Sequence, residues 1–323
     1  MDKTALVTGC AGFIGAHLCE QLIDRGWKVL GIDCFTDYYD KRIKEKNLMS
    51  LRGCSNFVFE EKNLMEAPLT VYLKDIDFVF HQAGQPGVRG SWGQEFDAYV
   101  NNNILATQHL LESAKNCPIK KFIYASSSSV YGNTNILPMK ESQLPKPFSP
   151  YGVSKLAAEH LCRLYHDNHE VPVIALRYFT VYGPRQRPEM AISTFIKAML
   201  EDRPIDIYGD GKQKRDFTYI DDIIQANILA AESSVKGEVL NIGSGAPIAL
   251  FQVIEVLEKI IGKKACIHYK YKEKGDVQDT YADIGRAKEI LGFYPSVQIQ
   301  EGLFHQVKYM KNILLNPETC LQK

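Results

Sequence analysis

Three glycines at three-residue spacing, Gly9, Gly12 and Gly15, separate a short apolar run from a segment of helical period. Ala5, Leu6 and Val7 form the run, and bounded by glycine they predict a buried parallel strand. Phe13, Ile14, His17, Leu18, Gln21 and Leu22 then follow the 3.6-residue spacing of a helix. A second apolar stretch, Val29 to Ile32, ends at Asp33. Glycines at a strand-to-helix turn let backbone N–H groups approach a pyrophosphate, whose charge is favoured at the helix N-terminus. A carboxylate closing the next strand can accept from a ribose 2′-hydroxyl and would repel a 2′-phosphate. Close helix–strand packing alone could account for the glycines, but not for Asp33 in register with both strands. The unit therefore points to NAD rather than NADP.

Composition narrows the remaining possibilities. Lys+Arg and Asp+Glu both number 38, so charge gives no reason to expect nucleic acid or an acidic membrane surface as partner. The basic cluster from Lys41 to Lys46 is interrupted by an acid and is expected on a solvated helix face. No stretch approaches the ~18–20 apolar residues of a membrane span. The chain opens directly on a strand, without a signal-peptide pattern. Eight cysteines show no CxxC pair and no metal spacing, as expected for reduced thiols in a cytoplasmic protein without a metal site. A chain of 323 residues can form one large or two modest domains.

Further along, strands are expected at 57–59, 78–80, 121–125 and 173–176. Helices are expected near 41–51, over 94–116 and over 150–169. On the second of these, Phe96, Val100, Ile104, Leu110 and Leu111 would face inward. Strands alternating with helices imply an α/β fold with a doubly wound parallel sheet. From Thr180 the alternation loosens and proline and glycine punctuate the chain. The expected division is a dinucleotide-binding domain over 1–179, with a returning strand near 238–243, and a smaller α/β substrate lobe over 180–323.

Tyr151 and Lys155 sit four residues apart at the start of a helix, which puts both on one face. An ammonium beside a phenol favours the phenolate, and a helix N-terminus adds to the effect. Such a phenol can take a proton from a substrate hydroxyl. The serine run Ser126 to Ser129 lies where the 121–125 strand leaves the sheet, at the carboxyl edge where open α/β sheets bind ligands.

These motifs resemble the extended short-chain dehydrogenase/reductase superfamily, and the nucleotide-sugar epimerases within it. The resemblance implies a Rossmann-type fold, bound NAD and a catalytic set of Ser127, Tyr151 and Lys155. It carries cofactor contacts over to Gly9, Gly12, Phe13, Ile14, Gly15, Asp33, Asn63, Leu64, Gln82, Ala83, Gly84, Asn103 and Tyr178, with Tyr151 and Lys155. Asn63 stands where the superfamily usually has Asp, and Ala106 replaces a usual glycine. Sugar 4,6-dehydratases of this superfamily carry Asp-Glu directly after the catalytic hydroxyl. Here those places hold Ser128 and Ser129, so dehydration lacks its acid and base.

The segment from Arg177 to Ala191 is similar to UDP-glucuronate 4-epimerases. UDP-glucose 4-epimerases have Asn where this chain has Thr180. The resemblance implies a UDP-sugar site built from Gln85, Ser128, Ser129, Thr180, Arg187, Met190, Ala191, Arg215 and Asp276. Thr180, Ser128, Ser129 and Arg187 would suit a sugar carboxylate. The superfamily's arginine three residues before Asp276 is Glu273 here, so Lys272 or Lys274 would supply the missing charge. The implied reaction is epimerisation at carbon 4 of a UDP-sugar by a homodimer, UDP-glucuronate being favoured. Alternatives are a UDP-glucuronate decarboxylase, an epimerase of neutral UDP-sugars and, from another class, a dinucleotide sensor. A sensor needs the glycines but not Ser127, Tyr151 and Lys155.

Overall fold

The computed structural model describes residues 3–315. The glycine turn opens it: β1 (Thr4–Thr8), α1 (Phe13–Asp24) and β2 (Lys28–Asp33) form one unit with its two strands parallel. Phe13, Leu18 and Leu22 on α1 are buried, whereas Gln21 is exposed, so the apolar stripe of this helix is narrower than its sequence period suggests. There follow α2 (Lys41–Asn47), β3 (Phe57–Glu61), α3 (Leu69–Tyr72) and β4 (Phe78–His81). Next come α4 (Phe96–Tyr99), α5 (Ala106–Ala114), β5 (Lys121–Ser127), α6 (Pro150–His169) and β6 (Val173–Tyr178). The charged helix α2 stops at Asn47, short of the expected 51, and gives way to turns.

The chain continues through β7 (Thr180–Tyr182), α7 (Ala191–Leu200), β8 (Ile205–Tyr208), β9 (Lys214–Arg215), β10 (Phe217–Tyr219) and α8 (Ile220–Glu232). It closes with β11 (Glu238–Ile242), β12 (Ile248–Ala249), α9 (Leu250–Ile261), β13 (Ile267–Lys270), α10 (Gly285–Leu291) and α11 (Ile299–Leu315).

Seven strands make one parallel sheet in the order β11-β6-β5-β4-β1-β2-β3. β5 and β6 are buried along their whole length, as central strands covered on both faces must be. The strand expected near 238–243 pairs with β6 at the sheet edge, Glu238 opposite Ile174 and Ile242 opposite Tyr178. Strand order reverses between β1 and β4, and the crevice at their carboxyl ends is where such sheets take ligands. The remaining strands form three two-stranded pairs, β7 with β10, β9 with β12 and β8 with β13.

The helix expected over 94–116 is interrupted by a π turn at Val100–Leu105. Phe96, Val100 and Ile104 are only partly buried, so the inward face of this stretch is not the one that the apolar residues mark. Tyr99, Asn103, Ala106 and Thr107 face inward with Leu110 and Leu111. α6 begins as its sequence predicts. The Ser149 hydroxyl accepts from the Gly152 N–H at 3.1 Å and Pro150 occupies the first turn.

Among the described residues no helix is long and apolar enough to cross a membrane. Their seven cysteines are unpaired, and Cys320 lies outside the described residues. No group of three or more His, Cys, Asp or Glu side chains among them is arranged to hold a metal ion.

Candidate active site

The turn after β1 demands glycine twice over. Gly9 has φ +70°, and a Cβ there would lie 2.7 Å from the backbone nitrogen of Ala83. A Cβ on Gly15 would lie 2.1 Å from the carbonyl oxygen of Gly9, so α1 packs against the turn with no room for a side chain. No side chain caps α1, and Gly12, Phe13, Ile14 and Gly15 line the main cavity. Uncapped first-turn N–H groups are anion donors.

Asp33 lines the same cavity from the end of β2. Its carboxylate accepts from the N–H of Phe35 at 2.8 Å and of Ala11 at 3.1 Å. Burial pushes its pKa up, against those N–H bonds and the charge of Lys44. A carboxylate has about four lone-pair sites, so room remains for a ribose hydroxyl. Asn63 and Leu64 line this end too, although the Asn63 side-chain oxygen already accepts from the Met65 N–H at 3.0 Å. Glycine cradle, uncapped helix and buried carboxylate together fit a dinucleotide.

Deeper in the cavity, β5 delivers Ser127 and the first two turns of α6 deliver Tyr151 and Lys155. The Ser127 oxygen accepts from the Ser129 N–H at 3.2 Å, and the Ser127 hydroxyl lies by the Tyr151 phenol. The Tyr99 ring stands edge-on to Tyr151 at 6.2 Å, and the Lys155 ammonium lies 4.8 Å above the Tyr124 ring. The expected depression of the Tyr151 phenol by Lys155 is not found. Burial raises the phenol, and the groups opposing burial are Ser127 and Arg187. Lys155 is itself lowered to about 8 by burial, with Cys162 and Glu159 pulling the other way. Desolvation penalises phenolate and ammonium alike, and in this site it outweighs their spacing along the helix.

The segment after β4 divides sharply. His81 belongs to the core, bonded to Thr8 at 2.8 Å and Thr107 at 2.9 Å, and burial lowers its pKa to about 3. Gln82, Ala83, Gly84 and Gln85 line the cavity. Asn103 does not line it. It is buried behind the loop, accepting from the Gln85 N–H at 2.6 Å and donating to the Gln85 carbonyl at 3.0 Å and to Ser154 at 2.9 Å. Those bonds make Asn103 a brace for the loop, and Asn102 and Ala106 face the cavity in its place. Tyr178 lines the cavity, its hydroxyl donating to Asn227 at 2.9 Å and Gln82 at 3.3 Å.

At the far end Ser128, Ser129, Thr180, Arg187 and Met190 line the cavity together. Ala191 does not, because it opens α7 on the exposed side. Arg187 stands 3.2 Å from Glu189 and over the ring of Tyr38 at 5.7 Å. Arg215 and Asp276 also lie outside the cavity lining. The Arg215 guanidinium donates to the carbonyls of Val277, Gln278 and Lys214. Asp276 accepts from Arg89 at 2.8 Å, and Arg89 stacks on Tyr208 at 4.0 Å. This cluster adjoins the cavity through Val88, which lies against Gly275.

Sequence reasoning missed Arg89, the cation that stands by Asp276; Lys272 instead donates to Gln278 at 3.2 Å. It also missed Tyr38, Tyr39, Lys44 and Gln186, all of which line the cavity. The aromatic loop after Asp33 was the available signal for the tyrosines. Nothing local marks Arg89.

A family model described as the NAD dependent epimerase/dehydratase family matches residues 5–243. A UDP-glucuronate 4-epimerase of Thermodesulfobacterium geofontis is 42% identical over 310 residues, covering 95% of each chain. An uncharacterised UDP-glucose epimerase of Bacillus subtilis is also 42% identical over 310 residues, covering 95% of this chain and 98% of its own. The crystal structure of UDP-glucuronic acid 4-epimerase from Bacillus cereus, in complex with UDP-glucuronic acid and NAD, superposes with TM-score 0.94 at 46% identity. That match covers 96% of this chain and 99% of the other.

Proposed function

The chain belongs to the NAD dependent epimerase/dehydratase family, and from that premise we propose that it inverts carbon 4 of UDP-glucuronate to give UDP-galacturonate. One observation carries the choice of substrate. A single cavity holds Ser127, Tyr151 and Lys155 together with Ser128, Ser129, Thr180 and Arg187. The first three suit oxidation at a sugar hydroxyl, and the other four suit a carboxylate beside it.

NAD, held along the glycine turn and Asp33, supplies the acceptor for the hydride of carbon 4 and its return to the opposite face. Tyr151 takes the proton from the 4-hydroxyl and gives it back at the end of the cycle. Ser127 holds the same oxygen, and Tyr151 enters the cycle as the phenolate, the form that Ser127 and Arg187 favour against burial, with Lys155 one turn along the same helix. The 4-keto sugar must turn over between the two transfers, and no net redox change results. This intermediate is a β-keto acid. Clamping its carboxylate away from the alignment that loss of carbon dioxide needs keeps the reaction an epimerisation. Neither Ser128 nor Ser129 offers the acid that dehydration would require.

The unit 1–179 with β11 serves as the NAD domain, and the chain from 180 onward serves mainly as the UDP-sugar lobe. We place the enzyme in the cytoplasm, where its free thiols stay reduced. We also assign it as a homodimer built on α4–α5 and α6, because Leu105, Val153 and Leu164 of those helices are exposed.

The test is a product panel. Mass spectrometry and NMR after incubation with UDP-glucuronate, UDP-glucose and UDP-N-acetylglucosamine should show UDP-galacturonate as the main product. UDP-xylose would make the chain a decarboxylase, and turnover of the neutral sugars alone would make it an epimerase of those. No product from any substrate would leave a dinucleotide sensor.

A further inference from the structure

Arg187 is the cation at the carboxylate end of the cavity, yet its own hydrogen bonding is poor. Its Nη1 is buried and has no aligned hydrogen-bond partner. Its Nη2 donates to the sulfur of Met190 at 3.2 Å, a weak acceptor. The neighbouring carboxylate is Glu189, whose Oε1 lies 3.2 Å from Nη1 without the alignment of a hydrogen bond. Glu189 sits two residues along the same loop, is part-exposed, and does not itself line the cavity. Tyr38, whose ring lies by the Arg187 guanidinium, also faces the Glu189 carboxylate. A guanidinium offers a planar fork that pairs best with a carboxylate held bidentate. The fork here has a carboxylate beside it but not in it.

We propose that Glu189 is a stand-in for the substrate's carboxylate: it balances the charge of Arg187 until a carboxylated sugar arrives, and is displaced by it. A part-exposed pair on one loop is weak and exchanges its partner easily. An incoming carboxylate can take the aligned position that Glu189 does not reach. A neutral sugar brings no charge to compete and leaves the Arg187–Glu189 pair in place. Glu189 would then set how strongly the cavity prefers acidic sugars, by setting the strength of the competitor they must beat. The inference rests on the reading of Arg187 as a carboxylate contact.

The test compares Glu189→Gln with the parent protein, both carrying their bound NAD, by titration calorimetry with UDP-glucuronate and UDP-glucose. Gln keeps the size and removes the charge at a part-exposed position, and circular dichroism checks that the fold is retained. The variant should bind UDP-glucuronate at least about threefold tighter, with UDP-glucose changed less than twofold. In turnover the gain should fall on KM rather than on kcat. Unchanged or weaker binding of UDP-glucuronate would overturn the inference and make Glu189 a support for Arg187. An equal change for both ligands would overturn it as well. Should the parent bind UDP-glucuronate but release a different product, the proposed reaction fails while the binding comparison still decides the role of Glu189.

Discussion

Arg185 grips Glu20 with both terminal guanidinium nitrogens, Nη1 at 3.1 Å and Nη2 closer. The pair ties the loop that carries Arg187 to α1, the helix that opens at the nucleotide turn. Arg185 adopts φ +64°, a conformation that side chains other than glycine seldom take, so the contact must hold the backbone there. The loop after β7 is thereby tied to the helix that follows the glycine turn.

That junction is sensitive to acid. His17 lies beside the pair, and burial followed by the Arg185 charge lowers it to about 4. Burial alone would raise Glu20, but hydrogen bonds from Arg185 and Ser50 hold it below its usual range. Both folded-state values are depressed, so both groups bind protons more readily in the unfolded chain. The stabilisation from His17 is complete above its unfolded pKa of 6.5 and is lost as pH falls toward 4. Melting temperature should therefore drop between pH 7 and pH 5, and His17→Gln should flatten that drop. Parallel profiles for parent and variant would remove His17 from the account.

The protein should leave purification with NAD bound, because an enzyme that recycles its hydride gains nothing by releasing the cofactor. Heat-released nucleotide should chromatograph as NAD. Gly15→Ala places a methyl group against the Gly9 carbonyl and should strip the cofactor away. Full activity that depends on added NADPH would contradict the reading of Asp33.

Tyr151→Phe should lower turnover by at least ~10²-fold, the scale of a positioned acid–base group. Nucleotide content and UDP-sugar binding should stay near those of the parent. Parent-like turnover would mean that some other residue moves the proton.

Leu105, Val153 and Leu164 leave an apolar face on the paired helices α4–α5 and α6. Light scattering at micromolar concentration should give twice the chain mass. Replacing Val153, half-exposed on α6, by Asp should shift the protein toward monomer without unfolding it. A parent protein that is already monomeric would refute the dimer.

Thr180→Val should damage activity on UDP-glucuronate far more than any activity on UDP-glucose, since a carboxylate needs hydrogen bonds at its lone pairs. The looser clamp should also release more UDP-4-keto-pentose, visible by mass spectrometry. Equal losses on both substrates, with no added decarboxylation, would place the carboxylate elsewhere.

The sequence by itself determined the β1–α1–β2 unit, the parallel alternation and the Tyr151–Lys155 pair. Each depends on spacing within one or two turns of chain, where periodicity and glycine geometry act locally. Tertiary structure decided the rest. Asn103 became a buried brace because its amide found partners on the loop after β4 and on α6, contacts no apolar period announces. Arg89 came to stand by Asp276, and Tyr38 by Arg187, through contacts between segments remote in the chain. Burial turned the Tyr151 pKa upward where helical spacing alone had argued the reverse. Desolvation depends on everything packed around a group, and that packing exists only once the chain has closed on itself.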